Sequence, residues 1–153
     1  MLTGAGLEQD MDIRLQRLTT THAHEAAAVS RVMADAFGEG AGTSTQRMQA
    51  LLADDRFWLY AAFDGDIPVA GLSAHVLPMT REDGCELFVY DIAVAADHRR
   101  RGIGRRLMQA AIDDARAAGL LGTFVPAEAD DPDALDFYRG IGGDEQPVSF
   151  FSF

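Results

Sequence analysis

The clearest candidate site in the chain is the run Arg99, Arg100, Arg101, Gly102, Ile103 and Gly104. Its glycines let backbone amides approach a ligand closely, and a helix that starts there offers unpaired N–H groups to an anion. The arginines add charge-assisted hydrogen bonds. With Arg105 and Arg106, this stretch holds five of the chain's 13 basic residues. The run therefore predicts a pyrophosphate-binding loop, and a solvated basic loop at a helix start is the alternative.

Carboxylates near the middle and the end of the chain offer acid–base chemistry. Asp91 lies between Tyr90 and Ile92 in an apolar stretch, where a carboxylate is costly to bury unless it is paired or wetted. We therefore predict that it opens on a cleft, the alternative being a structural acceptor at a strand irregularity. A second group of acids comprises Glu128, Asp130, Asp131, Asp133 and Asp136. These acids could bind and deprotonate a polycationic amine, or they could be helix-start acids on a solvated face, with Asp131 as the cap.

Metal and covalent chemistry are not expected. The four histidines show no metal-ligand spacing with one another or with Cys85, the single cysteine. Cys85 begins a predicted strand and has no histidine near it in sequence, so it is not expected to act as a nucleophile.

Composition limits the class of protein. The chain has 153 residues, of which 48% are hydrophobic and 24% charged, as expected for one globular domain. Its net charge of −11 disfavours nucleic acid and suits a cationic substrate. No apolar run is long enough to cross a membrane, and a single cysteine fits a reducing cytoplasm. We expect residues 1–11 to form a flexible tail and residues 12–153 to form one domain.

The periodicity predicts the order β-α-α-β-β-β-α-β-α-β, which describes a mixed sheet. Residues 85–94 form the strongest predicted strand, apolar on both faces and therefore central. An amphipathic helix follows Gly104 and ends at Gly119, and a further strand is predicted at 121–127. Asp131 and Pro132 start the next helix, and residues 148–153 are predicted to form a last short strand.

Two stretches resemble the signature motifs of the Gcn5-related N-acetyltransferases (GNAT). Tyr90–Val94 followed by Asp97–Gly104 is similar to the acetyl-CoA-binding motif of that superfamily. Asp131, Ala134 and residues 137–142 are similar to its other signature, a helix that ends in a tyrosine shortly before a glycine. The resemblance extends from about Ile13 to Phe153.

A narrower resemblance is to the aminoglycoside 3-N-acetyltransferases of the gentamicin-resistance type. It rests on residues 88–94, on His98 with the two arginines that follow, on residues 129–132 and on residues 149–151.

The resemblance implies an α/β fold, with a mostly antiparallel mixed sheet of about six strands, a central splayed parallel pair and flanking helices. It implies acetyl-CoA as cofactor, held by the backbone of Ile92, Ala93 and Val94, by the loop from Arg99 to Arg105, and by Tyr138. Tyr138 would act as general acid toward the sulfur, the alternative being a packed aromatic residue on a helix face. Asp91 or Glu128 would be the base. The substrate-binding residues would be Tyr90, Asp91, Glu128, Asp130 and Asp131.

The activity that follows is direct transfer of acetyl to an amine of an aminoglycoside, at the 3-amino group of the deoxystreptamine ring, which would confer resistance. An acetyltransferase for a polyamine or a protein amine is one alternative, and a non-catalytic acetyl-CoA-binding module is another. A short C-terminal end leaves a sheet edge to be covered, so we also expect a homodimer that shares its C-terminal strands or its substrate rim.

Overall fold

A computed structural model describes residues 12–153, in which one five-stranded sheet lies between two layers of helices. The strands, in spatial order, are β1 (Ile13–Arg17), β2 (Phe57–Asp64), β3 (Ile67–Pro78), β4 (Cys85–Val94) and β5 (Thr123–Phe124). The α-helices are α1 (Ala23–Phe37), α2 (Thr45–Leu52), α3 (Ile103–Ala117) and α4 (Pro132–Gly140). Short 3₁₀ helices occupy Thr20–His22 and Ala96–His98. The predicted tail at 1–11 lies outside the described residues.

Strands β1 to β4 are antiparallel, whereas β4 and β5 run parallel. The parallel ladder pairs Leu87 with Thr123 and Phe88 with Phe124, and within the described residues it extends no further. Beyond Phe88 the two strands therefore separate and leave one edge of β4 open. The predicted mixed sheet with a splayed parallel pair is confirmed.

Alternating side chains of the sheet build two hydrophobic cores. On β2, Trp58 and Tyr60 belong to the core under α3, while Leu59 and Ala61 belong to the core under α1 and α2. Gly71 of β3 is required by the close approach of α1, because a Cβ at that position would lie 2.6 Å from the Met33 sulfur. Strand β4 contacts helices on both faces, as its continuous apolar pattern predicts.

Local signals place the helix ends correctly. Ser44 accepts a hydrogen bond from the Arg47 amide and caps α2. Asp131 caps α4 with Pro132 at its first turn. None of the helices described between residues 12 and 153 is both long and apolar enough to span a membrane.

Two strand predictions need correction, and both concern the last third of the chain. The sheet has five described strands instead of about six, since residues 148–153 form no strand. The strand expected at 121–127 is reduced to Thr123–Phe124. A strand is stable only where a neighbour pairs with its backbone. Phe150 and Phe151 have strand propensity but are 85% and 75% exposed, without such a neighbour in the described structure.

Candidate active site

A β-bulge in β4 sets the direction of the central acid. Ser73 pairs with Asp91 and Ala74 pairs with Val89, so Tyr90 is an extra residue on β4. After the bulge, Asp91 shares a face with Ala93, which packs in the core under α1 and α2. Val89, before the bulge, packs in the core under α3. The predicted strand irregularity therefore exists, and it turns Asp91 toward the α1 side of the sheet.

A cavity of about 280 Å³ lies where β4 separates from β5. Its walls come from the open part of β4, from the loop before α3 and from one face of α4. They also include the C-terminal end of α1. The lining residues are Ala36, Phe37, Ile92, Ala93, Val94, Arg99, Gly104, Ala134, Phe137 and Tyr138. The structure thus brings together six of the residues that the sequence assigned to cofactor binding.

The loop before α3 adopts a conformation that exposes backbone amides. Gly102 has a φ of 76°, occupies the N-cap of α3 and has no side chain with which to cap it. The first N–H groups of α3 are therefore free of an intrahelical partner. Ile103 is buried in the core and anchors the loop. Gly104 allows α4 to approach, because a Cβ there would lie 3.3 Å from the Phe137 ring.

The arginines around this loop have different positions. The Arg99 Nε donates to the Val94 carbonyl at 3.1 Å, beside the cavity. Arg105, which was predicted to bind the cofactor, donates through Nη2 to the Gly140 carbonyl at 2.6 Å and links α3 to α4. Arg106 donates to the Ile13 carbonyl at 3.0 Å. Arg100 is exposed with a φ of 64°, and Arg101 is half-buried.

Asp91 and Tyr138 are brought into electrostatic contact by the fold. Burial raises the pKa of the Asp91 carboxyl, and the positive charge of His75 partly offsets this effect. Burial also raises the pKa of the Tyr138 hydroxyl, and the negative charges of Asp131 and Asp91 raise it further. Tyr138 packs edge-on against Phe137, with ring centroids 5.1 Å apart, so it is both a packed aromatic residue and a wall of the cavity.

The acidic residues that follow β5 have different environments in the structure. Asp131 Oδ1 accepts a hydrogen bond from the Ala134 amide at 3.0 Å, so its capping role is confirmed. Asp136 forms an exposed ion pair with Arg139, in which Oδ1 and Nη1 are 3.4 Å apart. Glu128 and Asp130 are exposed in the turn before α4. Of the described residues, no group of histidine, cysteine and acidic side chains is arranged to hold a metal ion.

His98 connects the segment before the arginine- and glycine-rich loop to the β2–β3 turn. Its Nε2 lies 3.0 Å from Asp64 at the β2–β3 turn, and its Nδ1 lies 2.8 Å from Asp97. These hydrogen bonds, to Asp64 first, raise the pKa of His98, although burial and the charge of Arg101 oppose them. The side chain is only 15% exposed. The protonated ring can donate to both carboxylates at once.

We therefore expect His98 to make stability depend on pH. Because its pKa is raised in the folded state, its contribution is complete below the ordinary histidine pKa, and it is lost as pH rises through the folded value. His98→Gln should lower the melting temperature at pH 6 by more than at pH 9. Melting curves at both pH values measure this effect, with His24→Gln on the surface of α1 as control. An equal loss at the two pH values would contradict the assignment.

Sequence reasoning missed two parts of the site. Ala36 and Phe37 line the cavity, yet in sequence they are only the end of an alanine-rich helix. His75 acts electrostatically on Asp91, but the two residues lie on different strands. Their proximity depends on the β3–β4 register, which no local pattern specifies.

Comparison with known proteins identifies the class to which this fold and cleft belong. Residues 26–142 match the Acetyltransferase (GNAT) family, and the chain therefore belongs to that family of acetyl-CoA-dependent enzymes. The predicted superfamily and fold are confirmed. No curated protein sequence matches the chain.

Solved structures show more particular similarities. The aminoglycoside acetyltransferase meta-AAC0020, from an uncultured soil metagenomic sample, was crystallised with trehalose and with sisomicin. The protein in the trehalose complex is 27% identical in sequence to this chain, and the two superpose with a TM-score of 0.87. The match covers 94% of this chain and 97% of that one. The sisomicin complex is 26% identical, with a TM-score of 0.85 and the same coverage.

A second aminoglycoside acetyltransferase from an uncultured soil metagenomic sample, HMB0005, is 26% identical with a TM-score of 0.83, covering 92% of this chain and 97% of that one. Aminoglycoside N-acetyltransferase AAC(6')-Iy, solved with CoA, is 14% identical over 92% of this chain and 93% of its own. Its TM-score is 0.74, and it shares the fold alone.

Proposed function

We propose that this protein transfers the acetyl group of acetyl-CoA to an amine of an aminoglycoside, at the 3-amino group of the deoxystreptamine ring. The observation that carries the proposal is the cleft that Tyr138 lines at the open edge of β4, with Asp91 close enough to act electrostatically on Tyr138. The sisomicin complex of the similar enzyme meta-AAC0020 supports the substrate class.

The chain offers a binding surface for the extended amide arm of acetyl-CoA and another for its pyrophosphate. The backbone of Ile92, Ala93 and Val94 lies on the open edge of β4, where an extended amide chain can pair like an added strand. The unpaired amides at the start of α3, after Gly102, suit a pyrophosphate, and the exposed Arg100 adds positive charge. When bound, this group supplies an activated acetyl thioester.

Asp91 is the proposed base, because amine attack requires a neutral amine. Its raised pKa makes the Asp91 carboxylate a stronger proton acceptor than an ordinary aspartate. Glu128, exposed in the turn before α4, is the alternative base.

Tyr138 is the proposed acid for the leaving sulfur. Its raised pKa keeps the hydroxyl protonated throughout the neutral range, so a hydrogen-bond donor is always present in the cleft. The donor can stabilise negative charge that develops on sulfur in the transition state.

The charge of the protein favours a cationic substrate. Asp131 acts electrostatically on Tyr138, Glu128 and Asp130 are exposed just before it in the chain, and Tyr90 lies exposed beside Asp91. Acetylation removes one positive charge from the amine, which weakens binding to anionic RNA. This loss is the physical basis of the proposed role in antibiotic resistance.

Thiol release from acetyl-CoA tests the function, with sisomicin, spermidine and a lysine peptide as parallel acceptors. We expect turnover with sisomicin, and NMR of the product should show acetylation at the 3-amino group. Turnover with only spermidine or the peptide would overturn the aminoglycoside assignment but keep the enzyme class. Tight acetyl-CoA binding without turnover of any acceptor would favour the non-catalytic module.

We also propose a homodimer that buries the C-terminal segment. Phe150, Phe151 and Phe153 are at least three-quarters exposed, and contiguous apolar surface of this kind marks interaction sites. Sedimentation equilibrium should give twice the 16.5 kDa mass of one chain. The double variant Phe150→Ser, Phe151→Ser should shift the protein toward monomer, whereas a monomeric wild-type protein would contradict the proposal.

A further inference from the structure

A continuous row of aromatic rings crosses four strands of the sheet next to Asp91. The rings belong to Phe57 on β2, His75 on β3, Tyr90 and Phe88 on β4, and Phe124 on β5. Successive ring centroids are 5.4, 5.9, 5.7 and 5.2 Å apart. These separations are those of aromatic pairs in contact, so the row forms one uninterrupted surface.

The register of the sheet explains why the rings align. Phe57 pairs with His75, His75 with Phe88, and Phe88 with Phe124, so one position of each strand contributes a ring. The β4 bulge adds Tyr90 to this row. With neighbouring strands about 4.8 Å apart, the row extends for about 14 Å across the sheet.

The row is open to solvent at its β4–β5 end. Tyr90 is 61% exposed and Phe124 is 44% exposed, whereas Phe57 at the other end packs against the core under α1 and α2. Exposed aromatic surface next to a reactive cleft indicates a ligand contact, because nothing in the fold requires it there.

Negative charge lies along the same surface. Asp91 follows Tyr90 directly, whereas Asp54, at the end of the row formed by Phe57, is already paired with Arg56 at 3.2 Å. His75, in the middle of the row, interacts electrostatically with both carboxylates. An occupant must therefore offer flat apolar faces to the rings and positive charge to Asp91.

We propose that this aromatic row is a platform for the saccharide rings of the substrate, which stack on Tyr90, Phe88 and Phe124 while their ammonium groups lie near Asp91. The inference rests on the proposed function and extends it, since it assigns recognition to ring faces as well as to charge. Carbon-bound hydrogens on the face of a sugar ring carry slight positive charge and pack well on the negative face of an aromatic ring. Aromatic side chains also lose little conformational entropy on binding.

The test compares a substrate that has rings with one that has none. Phe124→Leu and Tyr90→Leu keep apolar bulk but remove the ring face, and binding of sisomicin and of spermidine is measured by calorimetry. We expect each variant to weaken sisomicin binding by about 3- to 10-fold and spermidine binding by less than about 2-fold, since spermidine has no ring face to lose. Tyr90→Phe should retain sisomicin binding because it retains the ring. Ile67→Ala is the control, since Ile67 is exposed at the far β2–β3 turn.

The outcomes separate this proposal from the proposed function. Unchanged sisomicin binding in both leucine variants, or equal losses for the two ligands, would overturn the platform even if the wild-type enzyme acetylates sisomicin. Sisomicin binding without acetylation would overturn the function, while the variants would still decide the platform. A wild-type protein that does not bind sisomicin would overturn both.

Discussion

Asp91→Asn is expected to lower kcat/KM for sisomicin by about 100-fold or more, the usual contribution of a general base. Asparagine keeps the size of the side chain but cannot accept the proton of the amine. The variant should still bind acetyl-CoA, because the cofactor contacts proposed for β4 come from its backbone. Steady-state kinetics and calorimetry measure the two effects separately.

The pH dependence distinguishes a base from a merely structural acid. Burial raises the pKa of Asp91, so activity should fall as pH decreases through a value above 3.8, the ordinary aspartate pKa. Asp91→Asn should lose this acidic limb. Its folded state should be at least as stable as that of the wild type at neutral pH, because an acid with a raised folded pKa destabilises the fold when ionised. Asp133→Asn, exposed on α4, is the matched control.

A reduced activity with an unchanged pH profile would contradict the role of Asp91 as base. In that case Glu128→Gln becomes the informative variant, because Glu128 is the alternative proton acceptor that we propose.

Leu87→Ala is expected to have the largest effect on stability, lowering the free energy of unfolding by about 2–5 kcal/mol. Leu87 is completely buried in β4 and belongs to the core under α3. The substitution removes apolar contacts and leaves a cavity next to the β4–β5 ladder, where Leu87 pairs with Thr123. Urea denaturation followed by circular dichroism measures the loss.

Ile67→Ala gives the matched comparison for Leu87→Ala, since Ile67 is 69% exposed. Ile67→Ala should change the free energy of unfolding by no more than about 0.5 kcal/mol. Similar losses at the two positions would show that β4 does not form the centre of the core.

Most of the fold followed from local patterns in the chain. The apolar run at 85–94 predicted the central strand, and Gly119 and Asp131 marked helix ends that the structure reproduces. These predictions succeeded because the signals act over a few residues. The last strand failed because Phe150 and Phe151 have strand propensity without a backbone partner in the described residues.

The site was only partly predictable, because local patterns do not specify contacts between distant parts of the chain. Gly102 and the arginines around it are contiguous, so their pattern alone indicates an anion-binding loop. The sequence could not place Arg105 on the Gly140 carbonyl, since that contact depends on how two parts of the chain meet.

The sequence by itself determined the helices, the central strand and the family motifs, because hydrophobic period, capping and glycine conformation are local properties. Only the tertiary structure decided that Asp91 acts electrostatically on Tyr138 and that five rings align across four strands. Those relations depend on the strand register and on one bulge at Tyr90. A shift of one residue in that register would turn the same side chains to the opposite face of the sheet.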